Sequence, residues 1–143
     1  MSKGNTYETD LLALLFNATA IANVADNAAV SPLTNLAVAL HTADPGEAGT
    51  QTTSETAYTG YARVSVARTT GGWAVTGNSV SPVANIDFGE CTAAPGAAIT
   101  FFSVGPTGGG ATKIFYSGTV TPNITMAVGV IPRLKTTSTV TED

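Results

Sequence analysis

The sequence contains few side chains that could take part in catalysis or bind a metal ion. Its only histidine is His41, which Asp44 follows three residues later, and its only cysteine is Cys91. A serine hydrolase needs a serine, a histidine and a carboxylate that converge, and a zinc site needs several thiolate or imidazole ligands at short spacing. Neither pattern is present. We therefore expect no catalytic residue and no metal, and we expect His41 to lie at a strand end, on the surface or in an interface.

Three other features resemble ligand-binding motifs without completing them. Asp44 and Glu47 supply carboxylates, but the alternating oxygen ligands of an EF-hand loop are absent. Residues 105–110 (GPTGGG) are glycine-rich, yet neither a Lys-Ser/Thr pair nor a predicted helix follows, as a phosphate-binding loop requires. Cys91 has no nearby cation in the sequence to activate its thiol. We interpret these features as a turn, a hairpin loop and an inert thiol, and we expect no cofactor.

The stretch from Leu36 to Arg68 organises the rest of the chain. Residues 36–41 and 63–68 alternate in side-chain character with a period of two, which is typical of strands with one solvated face. Asp44-Pro45-Gly46 supplies a turn after the first strand. The following loop, up to Gly60, is rich in Thr, Ser, Gly and Ala, and its only charges are acidic.

Short strand-like segments continue to the C-terminus between Gly and Pro turns. The run 99–104 is almost entirely apolar, which predicts a central strand covered on both faces. The other predicted strands lie at 73–76, 80–83, 85–88, 112–117 and 124–130, with a short strand piece at 119–121 and a candidate edge strand at 134–140. About eight short strands predict a mainly β protein, a two-sheet antiparallel sandwich of the jelly-roll type. An immunoglobulin-like arrangement is less favoured because no Cys-Trp-Cys pattern is present.

The N-terminal part differs from the rest. Residues 1–32 are predicted to form a short helix and an extended arm, followed by the β-sandwich domain at 33–143. Asn5 is expected to cap a helix over about residues 5–17, with Glu8 completing a capping box. This helix carries more apolar side chains than one core face needs. It either contacts a second subunit or closes the end of a β core, and the sequence leaves both open.

Aromatic and arginine side chains are typical anchors of protein interfaces. Trp73, beside Gly71 and Gly72, has either this role or one in the core. Arg63 and Arg68 either pair with acidic groups of a partner or lie on a solvated strand face. The candidate interface residues are Tyr7, Leu11, Leu12, Phe16, Arg63, Arg68 and Trp73.

The composition narrows the classes of partner. Only 11% of the residues are charged and the net charge is −4, whereas charged residues usually make up about a quarter of a chain. Thr, Ser and Gly occupy the surface instead, and a sparsely charged surface is typical of proteins that pack against others. The six cations are scattered, so no basic stripe is available for a nucleic acid.

The apolar run 11–16 is too short to span a membrane and follows acidic residues, unlike a signal peptide. A single cysteine fits synthesis in a reducing compartment.

Several segments resemble a pattern that recurs in small structural proteins of tailed bacteriophages. LAVALHTADPGEAG, a Ser/Thr/Glu loop and GYARVSV carry the resemblance in the first half. Asn85–Phe88, Ile99–Val104, Gly108–Gly110 and Ile114–Gly118 follow in the same order, so that it covers about residues 36–131 but not residues 1–32. Proteins of this kind are tail-fibre-like proteins or capsid cement (decoration) proteins.

The resemblance implies a virion structural protein that is made in the cytoplasm of a bacterial host and catalyses no reaction. We expect a capsid cement protein, a dimer or trimer, that binds the major capsid protein on the outer capsid surface and bridges neighbouring subunits. The N-terminal arm would be the element that reaches the shell. A tail-fibre or baseplate component is the alternative. A carbohydrate-binding β-sandwich, using Tyr58, Tyr61 and Trp73, is the alternative of another class.

Overall fold

The structure, a computed structural model, describes residues 5–21, 33–107 and 113–142. These residues contain one helix and nine strands: α1 (Asn5–Asn17), β1 (Asn35–His41), β2 (Val64–Ala67), β3 (Trp73–Thr76), β4 (Ser79–Pro82), β5 (Ile86–Asp87), β6 (Ile99–Pro106), β7 (Tyr116–Ile124), β8 (Arg133–Leu134) and β9 (Val140–Thr141). The strand orders are β2-β1-β6-β7, β3-β4-β9 and β5-β8. The pairs β1–β6, β6–β7, β3–β4 and β4–β9 are antiparallel. The predicted mainly β fold with one short helix is confirmed for the described residues, whereas the jelly-roll sandwich stays a prediction.

The chain divides into two compact units. The first comprises Met1–Asn35, Val66–Ile86 and Leu134–Asp143, and the second comprises Leu36–Ser65 and Asp87–Arg133. Each unit therefore gathers segments that are distant in sequence. The predicted domain boundary at residue 32 stays a prediction, and most of the predicted arm, at residues 22–32, lies outside the described residues.

In the first unit, α1 packs against β3 and β4. The helix runs over Asn5–Asn17, as the sequence predicts, and Ala18 follows it in the left-handed conformation with φ of +56°. Leu12 and Phe16, one turn apart on the same face, are both 0% exposed. The hydroxyl of Thr9 donates to the carbonyl of Gly77 at 2.7 Å. Apolar packing and this hydrogen bond hold the helix on the β3–β4 hairpin.

In the second unit, β1 is the centre of the core. It lies between β2 and β6, and its pairing with β6 runs from Leu36 opposite Pro106 to His41 opposite Phe101. All six residues from Leu36 to His41 are buried. The expectation of one solvated face is therefore wrong for this strand, because both faces are covered. The prediction that 99–104 forms a central strand is confirmed, since β6 lies between β1 and β7.

The predicted strand over 124–130 is wrong beyond its first residue. β7 ends at Ile124, and Val128 is 66% exposed in a turn closed by a hydrogen bond from the Val130 N–H to the Ala127 carbonyl. Gly129 has φ of +88°, a conformation that a strand residue does not adopt. The apolar residues that alternate here therefore belong to a turn, which exposes Val128, and they do not form a strand.

Two glycines allow a close approach of backbones in the second unit. A Cβ at Gly60 would lie 2.1 Å from the carbonyl oxygen of Glu90, and a Cβ at Gly89 would lie 1.9 Å from that of Gly60. Gly60 also has φ of +104°, a backbone conformation that residues other than glycine rarely adopt. The Tyr58 hydroxyl donates to the Gly89 carbonyl at 2.8 Å. These contacts tie the loop after β1 to the segment after β5.

Candidate functional site: interface residues, a polar cluster and a surface cleft

Three of the seven candidate interface residues belong to the core of the first unit. Leu12 and Phe16 are 0% exposed, and Trp73 is 3% exposed. The rings of Phe16 and Trp73 meet edge to face with centroids 4.8 Å apart, a favourable geometry for aromatic pairs. Trp73 thus has the core role that the sequence left open. These three side chains stabilise the unit from within.

Tyr7 and Leu11 are the candidates on α1 that keep contact with solvent. Tyr7 is 47% exposed and Leu11 is half-buried. They lie one turn apart on a helix face different from the one that carries Leu12 and Phe16. The helix therefore has a buried apolar face and a second, partly exposed one. A partner for the second face stays a prediction.

Arg68 binds the C-terminal end of α1. Its Nε donates to the Leu15 carbonyl at 2.5 Å, its Nη2 donates to the Leu14 carbonyl, and its Nη1 donates to the Leu33 carbonyl at 3.2 Å. The last carbonyls of a helix lack partners within the helix and attract positive charge. The last turn of α1 contains no basic residue. Arg68 therefore supplies that charge from a distant part of the sequence and is mostly buried, not on a solvated strand face.

Arg63 belongs to a polar cluster in the second unit. Its Nε and Nη2 each donate to a carboxylate oxygen of Glu55 at 2.7 Å, and its Nη1 donates to Gln51 Oε1 at 3.3 Å. Tyr61 donates its hydroxyl proton to Glu55 at 2.8 Å and accepts the N–H of Leu40 at 3.1 Å. Burial is the main reason why the pKa of Tyr61 is raised. Its hydroxyl therefore stays protonated and remains a hydrogen-bond donor to Glu55. Arg63 thus pairs with an acidic residue of its own chain.

His41 is completely buried, so its predicted surface position is wrong. Its Nδ1 lies 2.9 Å from the carbonyl oxygen of Thr53, and its Nε2 lies 2.8 Å from Ser103 Oγ. A carbonyl oxygen can only accept, so Nδ1 carries the proton and the neutral Nε2 accepts the Ser103 hydroxyl. Ser103 is also 0% exposed. The pair therefore links β1 to β6 inside the core, where no substrate in solution can reach it.

This buried imidazole makes the stability of the protein depend on pH. Burial, acting against the favourable Thr53 hydrogen bond and the Glu55 charge, lowers the pKa of His41 below 6.5, and Arg63 acts in the same direction as burial. Below pH 6.5 the unfolded chain therefore binds the proton first, and the free energy of unfolding falls as the pH falls. We expect chemical denaturation between about pH 7.5 and 5.5 to show this decrease. A His41→Asn variant should lose most of the slope, and an equal slope in variant and wild type would contradict the assignment to His41.

Two of the three aromatic side chains expected to form a carbohydrate platform are buried in the core. Tyr58 and Trp73 are each 3% exposed. Burial raises the pKa of Tyr58 to about 12, so its hydroxyl stays a donor to Gly89. Tyr61 stacks on Phe88 at a centroid distance of 6.2 Å and is held in the polar cluster. The predicted platform is therefore wrong for Tyr58 and Trp73, whereas Tyr61 is half-buried and already bonded to Glu55 and Leu40.

A surface cleft of about 430 Å³ opens elsewhere in the second unit. We call it the β7 cleft because it includes the start of β7. It is lined by Asp44, Gly46, Glu47, Ile114, Phe115, Tyr116 and Ser117. Asp44 Oδ1 accepts the N–H of Gly46 at 2.9 Å, which fixes the turn on one side. The Phe115 N–H donates to the Val104 carbonyl at 2.8 Å, which fixes the other side on β6.

The described residues contain no group of three or more His, Cys, Asp or Glu side chains placed to hold a metal ion. Cys91 is 0% exposed, and its Sγ lies 3.6 Å from the Ala93 carbonyl oxygen. In the part of the chain that the structure describes, no helix has the length and apolar character to cross a membrane.

Sequence reasoning missed the β7 cleft and the contact that Arg68 makes. The β7 cleft joins residues 44–47 to residues 114–117 through the pairing of β1, β6 and β7, and no local pattern encodes that pairing. The contact of Arg68 with α1 is also long-range. The only local sign of it is a helix that lacks a basic residue in its last turn.

Comparison with known proteins gives the family. A search of curated proteins finds no match. The family model described as "Podophage GP4 fiber I protein gp80" matches residues 5–141, which is nearly the whole chain and includes the N-terminal helix that the sequence resemblance left out. The chain therefore belongs to the podophage GP4 fiber I protein gp80 family and is a phage virion structural protein of the fibre type.

Proposed function

We propose that this chain is a non-enzymatic subunit of a fibre on the outside of the phage particle. The match of the family model to residues 5–141 carries the proposal. The composition supports it, because surfaces with few charges are typical of proteins that pack against partners. The chemistry of the core supports it as well. His41 and Ser103, the only histidine and the hydroxyl it binds, are both fully buried.

The partners in this proposal are other copies of the chain and neighbouring virion proteins. The second face of α1, with Tyr7 47% exposed, is a surface that such contacts would cover. A capsid cement protein, bound to the major capsid protein on the outer shell, is the competing function. The family description names a fibre, and this favours the fibre over the cement role.

Immunogold electron microscopy separates the two functions. An antibody raised against the purified chain is applied to intact virions and to tail-less heads of the same phage. We expect label on the fibres of intact virions and none on tail-less heads. Label spread over the shell of both particles would assign the cement role and overturn the fibre proposal. An antibody against the major capsid protein serves as the control, since it should label both particles.

A further inference from the structure

We infer that the β7 cleft is a saccharide-binding site. Its volume of about 430 Å³ lies within the range of roughly 300–1,000 Å³ that is common for small-molecule sites. The cleft lies entirely within the second unit. The inference rests on the lining of this cleft alone, so it does not depend on whether the chain occupies a fibre or the capsid surface.

The polar part of the lining suits the hydroxyl groups of a sugar. Asp44 and Glu47 are exposed carboxylates, and a carboxylate only accepts hydrogen bonds when ionised. The bond from Gly46 to Asp44 Oδ1 holds that carboxylate in place and leaves Oδ2 to accept from a ligand. The exposed hydroxyl of Ser117 can donate as well as accept. Each hydroxyl of a sugar ring is a hydrogen-bond donor and an acceptor, so neighbouring hydroxyls can donate to the carboxylates and accept from the Ser117 hydroxyl.

The apolar part of the lining suits the C–H faces of a sugar. Ile114 and Phe115 are half-buried and contribute to the same cleft. A purely apolar ligand that covered the two carboxylates would remove the water that donates to them and offer no donor in its place, which is unfavourable. A simple cation would leave the aromatic and aliphatic surface unused. A pyranose, with hydroxyls on its rim and C–H groups on its faces, satisfies both parts.

The charge of the cleft narrows the class of saccharide. Asp44 and Glu47 are both acidic, and like charges brought together across an interface disfavour binding. The cleft therefore favours neutral sugars over uronic acids. This preference distinguishes the cleft from a basic site for acidic polysaccharides.

Saturation-transfer NMR on the full chain tests the site. The probes are the methyl glycosides of glucose, galactose, N-acetylglucosamine and glucuronic acid, with butylguanidinium as a simple cation. We expect transfer to at least one neutral glycoside and none to the glucuronide. In the double variant D44N/E47Q, loss of charged acceptors should weaken the apparent Kd by about tenfold. Glu90→Gln removes an exposed carboxylate outside the cleft and should bind as the wild type does.

The D44N/E47Q variant is expected to fold, because the amide oxygen introduced at position 44 can still accept the Gly46 N–H, and thermal unfolding checks this. Ser117→Ala removes an exposed hydroxyl of the cleft and gives a second, independent variant, which should also weaken binding. Absence of transfer to every neutral glycoside would overturn the inference. So would equal transfer to the glucuronide, equal binding by D44N/E47Q and wild type, or transfer to butylguanidinium alone.

Discussion

Replacing Phe16 with alanine is expected to lower the free energy of unfolding by about 3–5 kcal/mol. Phe16 is 0% exposed and meets the edge of Trp73 at a centroid distance of 4.8 Å. Its removal leaves a cavity between α1 and β3, and the surrounding side chains can fill it only in part. Urea denaturation followed by tryptophan fluorescence is the measurement, because Trp73 is the only tryptophan and lies at the site of the change.

Tyr7→Ala is the matched control on the same helix. Tyr7 is 47% exposed, so the loss of its ring should change the free energy of unfolding by only about 0.5 kcal/mol. Phe16→Leu, which retains most of the apolar volume, should lie between Phe16→Ala and the wild type. If Phe16→Ala and Tyr7→Ala destabilised the protein equally, the assignment of a buried and an exposed helix face would be wrong.

The helix illustrates what the sequence predicts well. Its extent over about residues 5–17 follows from local signals, and its apolar excess is visible as a pattern within a few turns. The structure assigns each face, with Leu12 and Phe16 on the buried one and Tyr7 on the exposed one. Which face packs inward depends on β3 and β4, which come more than fifty residues later. The sequence therefore predicts the helix but not its orientation.

β1 shows why the burial of a strand is harder to predict than its existence. Small side chains such as Ala37 and Ala39 alternate with larger ones, and this alternation indicates one solvated face. In the structure Gln51 Nε2 donates to the Ala37 carbonyl at 3.0 Å, and Ser103 binds His41. The loop after β1, through Gln51 and Thr53, thus covers the face that the pattern leaves polar or small. Ser103, on the neighbouring strand β6 of the same sheet, lies on that face as well. These contacts join residues that are distant in sequence, so the local periodicity of apolar residues does not predict them.

The β7 cleft depends on the same kind of long-range information. Asp44 and Glu47 are recognisable in the sequence as acidic turn residues, and residues 114–117 as part of a strand. Their meeting requires β1, β6 and β7 to pair in that order. Two of the three aromatic residues predicted for sugar binding, Tyr58 and Trp73, are instead buried. Residue type indicates the chemistry, but pairing decides which residues present it at the surface.

Replacing Arg68 with alanine is expected to lower the free energy of unfolding by about 2–4 kcal/mol. The variant leaves the carbonyls of Leu14 and Leu15 at the end of α1, and that of Leu33, without the guanidinium that binds them. It also removes a favourable positive charge from the negative end of the helix dipole. Hydrogen exchange should report the change as faster exchange of the amides in the last turn of α1, since this turn loses its anchor first.

Two further arginine variants show whether the geometry of the contact or only its charge matters. Arg68→Lys retains the charge but not the planar group that reaches several carbonyls at once, so it should recover only part of the stability lost in Arg68→Ala. Arg133→Ala breaks an exposed pair with Asp87 and should leave unfolding and exchange unchanged, since exposed ion pairs add little. Full recovery by lysine would mean that charge alone supports the helix end. Equal effects of Arg68→Ala and Arg133→Ala would contradict the anchoring role of Arg68, because the same loss of one cation would then explain both.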